Sequence, residues 1–490
     1  MTARPAPQAP GSGAAIDAIV VGAGPNGLTA AITMAQAGLS VRIYEAMPGI
    51  GGGARTEECT LPGFRHDPCS AVHPLGRGSP AFRAMPLERY GLRWIEPAIQ
   101  LAHPQPDGSA AVLARSVDET AGSLGADGAA YRSLVSPFLG RWEQLAGDLL
   151  RPPAAGPPAA PLMMARFGLP AATPAGLLAR RFGGPHARTL IAGLAAHALA
   201  PLRSPLTSGI AMMFALAAHE VGWPFPAGGS QSLSDALAAH LTSLGGEIVT
   251  GQRVRSLDEL PGARVYLLDV SPRDLVRIAG ARLPARWSRR MAGVRYGPSV
   301  FKVDYALDGP VPWLAEPCRR AGTVHIGASY PEISTALALA NGGSMPERPF
   351  LITSQPTVSD PSRAPAGKHV FWAYAQVPNG CAADVLPLAE AQIERFAPGF
   401  GDLVLARTVT SPRQIEERNP NNVGGNIAVG RCDGLRAVLR PTLSLRLPYR
   451  TGNPAIYLCS SATAPGPGVH GMCGLHAARA ALRLVFGLRA

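Results

Sequence analysis

The chain opens with apolar runs whose lengths and spacings predict an alternation of strand and helix. Ile16 to Gly22 reads IDAIVVG, which is a β-branched run of strand length. Pro25 to Ala37 follows with helix-forming residues, and Gly38 ends that stretch. Val41 to Tyr44 is a second apolar run that ends at Glu45. This order predicts a βαβ unit, the element that begins a parallel sheet.

Later segments repeat these periodicities. A helix is predicted over Gln231 to Leu244, and a strand over Glu247 to Val254 follows it. From about Pro97 the chain looks irregular and rich in Pro and Ala, with an exposed loop or hinge at Arg151 to Pro161. The remaining predicted elements are strands over Val265 to Val270, Ser299 to Leu307, Gly322 to Gly327, His369 to Val377 and Ala455 to Cys459, and an amphipathic helix over Met472 to Phe486.

Composition indicates a folded protein with more than one domain. The 490 residues are 47% hydrophobic and 16% charged, which excludes a disordered chain and allows two or three domains. The net charge of +12 raises the question of nucleic-acid binding, but the Arg residues are scattered and no basic stripe alternates with aromatic residues. Lys302 and Lys368 are the only lysines. The sequence therefore predicts no nucleic-acid partner.

Cysteine usage and hydropathy suggest a compartment. The seven cysteines are odd in number and form no C-x-x-C pair, which is typical of a protein in the reducing cytoplasm. Met1 to Ala15 lacks an apolar core and is predicted to be a flexible tail and not a signal peptide. The most apolar stretch, Thr189 to His219, is broken by Pro201, Arg203 and Pro205, so it is not expected to span a bilayer. We expect a cytoplasmic protein.

The first βαβ unit contains a G-x-G-x-x-G motif between its first strand and its helix. Gly22 permits the tight turn, Gly24 lets the backbone approach a pyrophosphate, and Gly27 allows the helix to pack closely on the strand. Glu45 lies 18 residues beyond the last glycine, where its carboxylate can accept hydrogen bonds from ribose hydroxyls. An ordinary glycine-rich turn is the alternative. The predicted dinucleotide contacts in this turn are Gly22, Gly24, Pro25, Asn26 and Gly27.

A second glycine cluster, which contains Gly51 and Gly52 and is followed by Arg55, resembles the motif of glutathione-reductase-type flavoproteins. The segments from His66 to Leu75 and from Ile456 to Gly474 extend the likeness. They resemble the phytoene desaturase-related flavoproteins, in the bacterial and mitochondrial branch of pyridine-nucleotide-disulfide oxidoreductase-domain-like proteins. The resemblance covers nearly the whole chain and implies FAD as the cofactor.

The resemblance also implies an α/β fold in which a discontinuous, Rossmann-like FAD-binding domain of the glutathione-reductase type is interleaved with an α+β substrate domain. Further cofactor contacts are expected at Val254, Ser461, Gly468, Val469, Gly471 and Met472. The expected divisions are a tail at 1–15, FAD-binding segments at 16–96, 224–285 and 421–490, and substrate-domain segments at 97–223 and 286–420, the latter forming a mixed sheet.

Two positions depart from many members of that family. Gly53 stands where many of them have Arg, and Ser460-Ser461 stands where many have a Gly-Asp pair. A serine can hydrogen-bond a ribityl hydroxyl but adds no charge. At the C-terminal turn, the helix that begins near Met472 is expected to direct its positive end at the flavin pyrimidine, which would favour the reduced form. A plain helix start is the alternative.

The candidate catalytic residues are Lys302 and His470. Lys302 lies on a predicted strand similar to the one whose lysine reaches flavin N5 through a water in amine-oxidase-type flavoenzymes, and a lysine at a strand edge is the alternative. His470, His73 and His325 are candidate proton donors or acceptors, or histidines hydrogen-bonded within the fold. No H-x-x-x-H or Cys/His cluster indicates a metal, so none is predicted.

The expected activity is hydride transfer between the flavin and a C–C or C–N bond of a small apolar or amphipathic metabolite, as in desaturases and oxidases. A redox-neutral flavin isomerase, or a binding or assembly factor with little turnover, remains open. Met212, Met213 and Phe214 are expected to lie in the core or along a lipophilic substrate tunnel. Oxygen, a quinone or a nicotinamide could accept the electrons, and weak peripheral membrane contact through Leu190 to Leu216 is a further hypothesis.

Overall fold

The structure is a computed structural model, and it describes residues 16–442 and 444–488. The predicted tail at 1–15 lies outside the described residues. The strands are β1 (Ile16–Val21), β2 (Val41–Tyr44), β3 (Trp94–Ile95), β4 (Ile99–Pro104), β5 (Ala110–Leu113), β6 (Phe225–Pro226), β7 (Glu247–Val249), β8 (Ala263–Leu268), β9 (Ser299–Leu307), β10 (Ala321–Ile326), β11 (Leu351–Ser354), β12 (His369–Val377), β13 (Val404–Thr410) and β14 (Ile456–Leu458).

The helices lie between these strands and after the last of them. They are α1 (Pro25–Gln36), α2 (Pro74–Arg77), α3 (Pro80–Arg83), α4 (Val117–Ser123), α5 (Gly128–Val135), α6 (Trp142–Leu149), α7 (Pro161–Ala171), α8 (Ala175–Ala179), α9 (Pro185–Ala196), α10 (Thr207–Glu220), α11 (Gln231–Ser243), α12 (Pro272–Ala279), α13 (Ala285–Ala292), α14 (Glu316–Arg320), α15 (Tyr330–Gly342), α16 (Leu386–Glu394), α17 (Pro412–Arg418) and α18 (Met472–Ala481).

A parallel sheet of five strands, in the order β14-β8-β1-β2-β7, forms one half of the molecule, which is the predicted nucleotide-binding half. Its strands come from three distant parts of the chain, and β1 pairs in parallel with β2 on one side and β8 on the other. Helices α1, α11 and α18 pack together against this sheet. Gly474 permits the close approach of α18, because a Cβ there would overlap the carbonyl oxygen of Asn26.

A second sheet of seven mixed strands, in the order β13-β9-β12-β11-β10-β4-β5, forms the other half. Successive side chains along β9 and β12 point to opposite faces. Phe301, Val303 and Phe371 enter an apolar core on one face, whereas Trp372 and Tyr374 line a cavity. The predicted fold class is confirmed: a Rossmann-like parallel sheet is combined with a mixed sheet of a second domain.

The prediction of irregular structure after Pro97 is wrong. That region contains β4, β5 and the seven helices α4 to α10. The prolines misled the prediction, because Pro161 and Pro185 occupy the first positions of α7 and α9. Proline is tolerated there, since the first helical N–H groups have no partner within the helix. Residues 151–160 form a mostly exposed loop, one of the two predicted alternatives, and Pro161 begins α7.

Three predicted elements differ in their bounds. Strand β7 ends at Val249 and not at Val254, because Gly251 takes a φ of +70° and donates its N–H to the carbonyl of Met47. Strand β8 begins and ends two residues earlier than predicted. Helix α18 ends at Ala481 and continues as a π-type turn to Phe486. The other predicted strands and helices are reproduced within one residue at each end.

A fully buried ion pair joins the two halves. Arg363, beside the mixed sheet, donates from Nη2 to Oδ2 of Asp67 at 2.8 Å and from Nε to the carbonyl of Arg65 at 3.0 Å. The other carboxylate oxygen of Asp67 accepts hydrogen bonds from Thr56 Oγ1 and from the backbone N–H of Ser230. Both charged side chains have 0% exposure. This ion pair therefore fixes the nucleotide-binding half against the mixed sheet.

Across residues 16–442 and 444–488, every helix is too short or too polar to cross a bilayer.

Candidate active site

One cavity of about 700 Å³ lies between the two halves. Part of its wall is the glycine-rich turn between β1 and α1. Another part, here called the apolar chamber, is formed by Met164, Phe167, Ile210, Met213, Phe214 and Trp223. Met213 and Phe214 thus face the cavity, whereas Met212 is buried in the core. A polar turn and a lipophilic space therefore share one cavity.

Asp269, the residue after β8, contacts the glycine-rich turn and supports its conformation. Gly22 has a φ of +103°, and a Cβ on it would lie 2.9 Å from the carbonyl oxygen of Asp269. The N–H of Gly27 donates to Oδ2 of Asp269 at 2.9 Å, so this group is not free for a ligand. A Cβ on Gly27 would overlap the carbonyl of Gly22. These two glycines are required by the fold of the turn itself.

Asp269 is buried against this turn, and burial raises the pKa of its carboxyl to about 7. The charge of Glu45 raises this pKa further, while the hydrogen bond from Gly27 lowers it. In the unfolded chain the same carboxyl titrates near 4. Folding therefore holds the proton more tightly, and the stability that this proton provides is lost as the pH rises from about 4 through about 7.

We expect a pH-dependent stability difference between the wild type and Asp269→Asn, because an asparagine oxygen can still accept the hydrogen bond from Gly27 but cannot ionise. Between pH 5 and pH 8, the free energy of unfolding of the cofactor-free wild type should fall by about 2–3 kcal/mol relative to the variant. Urea unfolding at both pH values measures this difference. Parallel pH profiles for the two proteins would contradict the ionisation of Asp269 in this range.

Glu45 lies on the cavity wall, and backbone N–H groups orient its carboxylate. Oε2 accepts a hydrogen bond from the N–H of Ala23 at 2.7 Å, and Oε1 accepts one from Met47 at 2.9 Å. Each carboxylate oxygen has a further lone pair, so two hydroxyl groups can still be bound. This geometry suits the vicinal hydroxyls of a ribose and would repel a 2′-phosphate.

The second glycine cluster lies directly against the first one at the cavity wall. Gly52 packs so closely on Gly24 that a Cβ on Gly52 would lie 3.1 Å from the Cα of Gly24. Arg55 also lines the cavity, and its buried Nε has no hydrogen-bond partner among the described residues. An unpaired guanidinium N–H beside the glycine turns is suited to a phosphate oxygen.

The turn before α18 contributes Gly468, Val469 and His470 to the wall. Nδ1 of His470 accepts a hydrogen bond from the N–H of Met472 at 3.0 Å, and burial lowers the pKa of this histidine to about 4. The ring is therefore neutral at pH 7 and has its proton on Nε2. It can donate a hydrogen bond but is a poor general base.

The structure brings most of the predicted site residues to the cavity wall. The predicted residues on the wall are Gly22, Gly24, Pro25, Asn26, Glu45, Gly52, Arg55, Val254, Ser461, Gly468, Val469 and His470. The predicted residues that are not on the wall are Gly27, Gly51, Lys302, Gly471 and Met472. Gly471 is the N-cap of α18, with a φ of +68°, and packs against Thr29 and Phe82 instead.

Lys302 is buried and does not reach the cavity wall. Its Nζ forms an ion pair with Asp304 Oδ1 and lies 5.2 Å from the ring centroid of Trp372. The lysine shares the inner face of the mixed sheet with Trp372 and Tyr374, both of which do line the cavity. A catalytic role for Lys302 therefore stays a prediction, and it would require the ammonium group to act past these aromatic rings or to leave Asp304.

Cys59, His66 and Asp304 place possible metal-ligand atoms within 4.8 Å of one another, although no sequence motif joins them. Lys302 already provides a positive charge at Asp304. Burial raises the pKa of the Cys59 thiol to about 12, so the thiol is protonated and not the thiolate that metals prefer. These two features disfavour a metal ion in this cluster.

The other two candidate histidines are held by protein groups. His73 lies on the cavity wall, and its Nε2 is 2.8 Å from Ser230 Oγ, which itself donates to the carbonyl of Ser70. Burial lowers the pKa of His73 to about 4. His325 is fully buried and contacts two further histidines, His103 and His197.

Sequence reasoning missed Arg440, a buried residue on the cavity wall. Its guanidinium donates to the carbonyls of Ala428, at 2.5 Å, and Ser461, at 3.2 Å, and Nε has no partner. No carboxylate pairs with it within the part of the chain that the structure describes. A buried cation without a counter-ion is costly, so this position is suited to an anionic ligand. The motif around Gly53 gave no indication of this distant arginine.

Comparison with known proteins agrees with this architecture. Residues 20–85 match the family of NAD(P)-binding Rossmann-like domains. The chain is 26% identical to pyridine nucleotide-disulfide oxidoreductase domain-containing protein 2 of Mus musculus, over 95% of this chain and 93% of that protein. It is 28% identical to phytoene dehydrogenase of Streptomyces griseus, over 54% of this chain and 55% of that enzyme. The crystal structure of an oxidoreductase from Methanosarcina mazei has a TM-score of 0.61 and 16% identity, covering 94% and 99% of the two chains.

The fold and the cavity define a class: the chain has the architecture of an oxidoreductase with a Rossmann-like dinucleotide-binding domain and a second, mixed-sheet domain. Its homologues include pyridine nucleotide-disulfide oxidoreductase domain-containing protein 2 and phytoene dehydrogenases. The predicted relation to phytoene desaturase-related flavoproteins is thereby confirmed, and FAD agrees with these comparisons as the cofactor.

Proposed function

We propose that the protein is an FAD-dependent oxidoreductase that transfers hydride between the flavin and a C–C or C–N bond of an apolar or amphipathic small molecule. The observation that supports this most is the single cavity whose wall includes both the dinucleotide turn and the apolar chamber. A dinucleotide bound at the turn and a lipophilic molecule in the chamber would lie in the same cavity. Such an arrangement suits direct transfer between them.

The residues present fit FAD. Gly24 and Gly52 both line the cavity, and their lack of a Cβ leaves the backbone of the two glycine turns open to a pyrophosphate. Glu45 has lone pairs for the ribose hydroxyls, and Arg55 and Arg440 have unpaired Nε–H groups. These two arginines would supply the positive charge that Gly53 does not provide. When bound, FAD would supply the hydride acceptor or donor.

The protein groups would orient the substrate and exclude water. The apolar chamber removes a bound molecule from solvent, which strengthens the few polar contacts within it. His470 would donate a hydrogen bond from Nε2, the position that its contact with Met472 leaves protonated. Negative charge that develops near this turn would be stabilised by that donor and by the N-terminus of α18.

The visible absorption spectrum of the purified protein tests this function first. We expect a flavin spectrum and the release of FAD, identified by mass, on denaturation. Anaerobic addition of a substrate should bleach the flavin absorption, and the product mass would distinguish desaturation from isomerisation. A protein that stays colourless after incubation with FAD would overturn the proposal.

Two substitutions of Arg440 provide a second test, because one removes the positive charge and the other keeps it. Arg440→Gln should raise the dissociation constant of FAD about 10- to 100-fold, which is the value of one charge-assisted hydrogen bond. Arg440→Lys, which keeps the charge, should recover most of this affinity. Titration of cofactor-free protein with FAD measures both constants. Equal losses in the two variants would instead assign Arg440 a purely structural role in holding its loop.

A further inference from the structure

Three histidines form a hydrogen-bonded chain that ends at the apolar chamber. His103 on β4 and His325 on β10 are on neighbouring strands, and Nε2 of His103 lies 3.0 Å from Nδ1 of His325. Nε2 of His325 lies 3.2 Å from Nε2 of His197, the residue after α9. His197 lines the cavity, and its ring packs 4.7 Å from that of Phe214. Gly193 leaves the space for the two inner rings, because a Cβ there would overlap both.

All three rings are neutral at physiological pH. Burial lowers the pKa of His103 to about 3 and that of His197 to about 4, and it lowers the pKa of His325 well below its ordinary value. Neighbouring imidazoles also lower the pKa values of His103 and His325, and no carboxylate is among the causes for any of the three. Each neutral imidazole has one N–H, which donates a hydrogen bond, and one unprotonated nitrogen, which accepts one. The two hydrogen bonds must therefore point in the same direction along the chain.

The buried end of the chain sets this direction. His103 has 0% exposure, and its Nδ1 has no hydrogen-bond partner in the described part of the protein. If the chain pointed inward, that nitrogen would hold an unpaired buried N–H, whereas an outward chain leaves it as a bare lone pair. Orphaned buried N–H groups are rarer than orphaned acceptors. The outward direction puts protons on Nε2 of His103, Nε2 of His325 and Nδ1 of His197.

We infer that His197 presents a fixed hydrogen-bond donor, its Nδ1–H, to the apolar chamber, and that the substrate is an amphipathic molecule with an acceptor oxygen on an otherwise apolar body. Among the hydrogen bonds of the described residues, Nδ1 of His197 has no partner. Phe214 and Trp223 pack against its ring and restrict its rotation. An unpaired donor in an apolar pocket discriminates against a molecule that lacks the acceptor, because the donor would remain unsatisfied. A pure hydrocarbon is therefore disfavoured.

This inference rests on the proposed function, since it places the substrate in the apolar chamber. Its test uses the flavin-loaded protein and three probes of equal length: octane, 2-octanone, which only accepts hydrogen bonds, and 1-octanol, which accepts and donates. Headspace gas chromatography measures the affinity of each probe. His197→Phe, which keeps the ring packing, should weaken the binding of 2-octanone about 10-fold and change that of octane less than 2-fold. His197→Asn, which retains an amide donor, should restore part of the ketone affinity.

The nitrogen resonances of ¹⁵N-histidine-labelled protein test the tautomers independently. We expect His197 to be protonated on Nδ1 and the other two histidines on Nε2. Three results would each overturn the inference. The first is the opposite tautomer of His197, and the second is a His197→Phe variant that binds the alcohol less tightly but the ketone equally well. The third is that no probe binds to the flavin-loaded protein. A protein without FAD would overturn the proposed function instead, and the tautomer measurement would still decide the direction of the chain.

Discussion

Replacing Gly24 with valine is expected to yield a colourless protein that retains no FAD. A Cβ at this position would lie 3.0 Å from Oδ2 of Asp269 and 4.0 Å from the Cα of Gly52. The two methyl groups of valine would add further bulk where the backbone of this turn lines the cavity. The pyrophosphate could then no longer approach the backbone. The ratio of flavin to protein absorbance after purification measures the loss.

The matched control for this variant is Gly262→Val. Gly262 precedes β8, and a Cβ there would meet no atom within 4 Å. The control should keep its flavin, and both variants should show the far-ultraviolet circular dichroism of the wild type. A yellow, stoichiometrically loaded Gly24→Val protein would refute the assignment of this turn to the pyrophosphate.

Removing the buried ion pair between Arg363 and Asp67 should have the largest effect on stability. Arg363→Met would leave the Asp67 carboxylate buried without its counter-charge, and such losses cost about 3–5 kcal/mol. The variant also loses the hydrogen bond to the carbonyl of Arg65. Because the pair joins the two halves of the molecule, we expect their unfolding transitions to separate. Guanidinium unfolding, followed by circular dichroism and tryptophan fluorescence, measures both effects.

A double-mutant cycle with Asp67→Asn separates the ion pair from general disruption. The double variant should be less destabilised than the sum of the two single variants, since the second change removes a charge that the first left unpaired. Arg320→Met is the surface control. Arg320 pairs with Glu316 on an exposed face of α14 and should change the stability by less than about 0.5 kcal/mol. A loss below about 1 kcal/mol in Arg363→Met would contradict the assigned role of the buried pair.

Local signals made the opening of the fold predictable. Gly22, Gly24, Gly27 and the acidic residue after β2 stand at the spacing of a single βαβ unit, which a local pattern can reveal. Strands β2, β9 and β12 were predicted with their observed bounds, because each is a run of mainly apolar and β-branched residues that the sheet buries. The region after Pro97 was missed, since proline at a helix start and proline at a break look alike in a sequence.

The sequence by itself determined the glycine-rich turn, the fold class and those strands and helices that have a clear periodicity, because these depend on short-range patterns. The tertiary structure alone decided what surrounds the turn. Asp269 supports Gly27 from 242 residues away, and His103 meets His325 across 222 residues. Whether Lys302 reaches the cavity, and which nitrogen of His197 or His470 holds its proton, depends on neighbours from other strands and turns. Such contacts between distant residues follow from packing and leave no pattern in the local sequence.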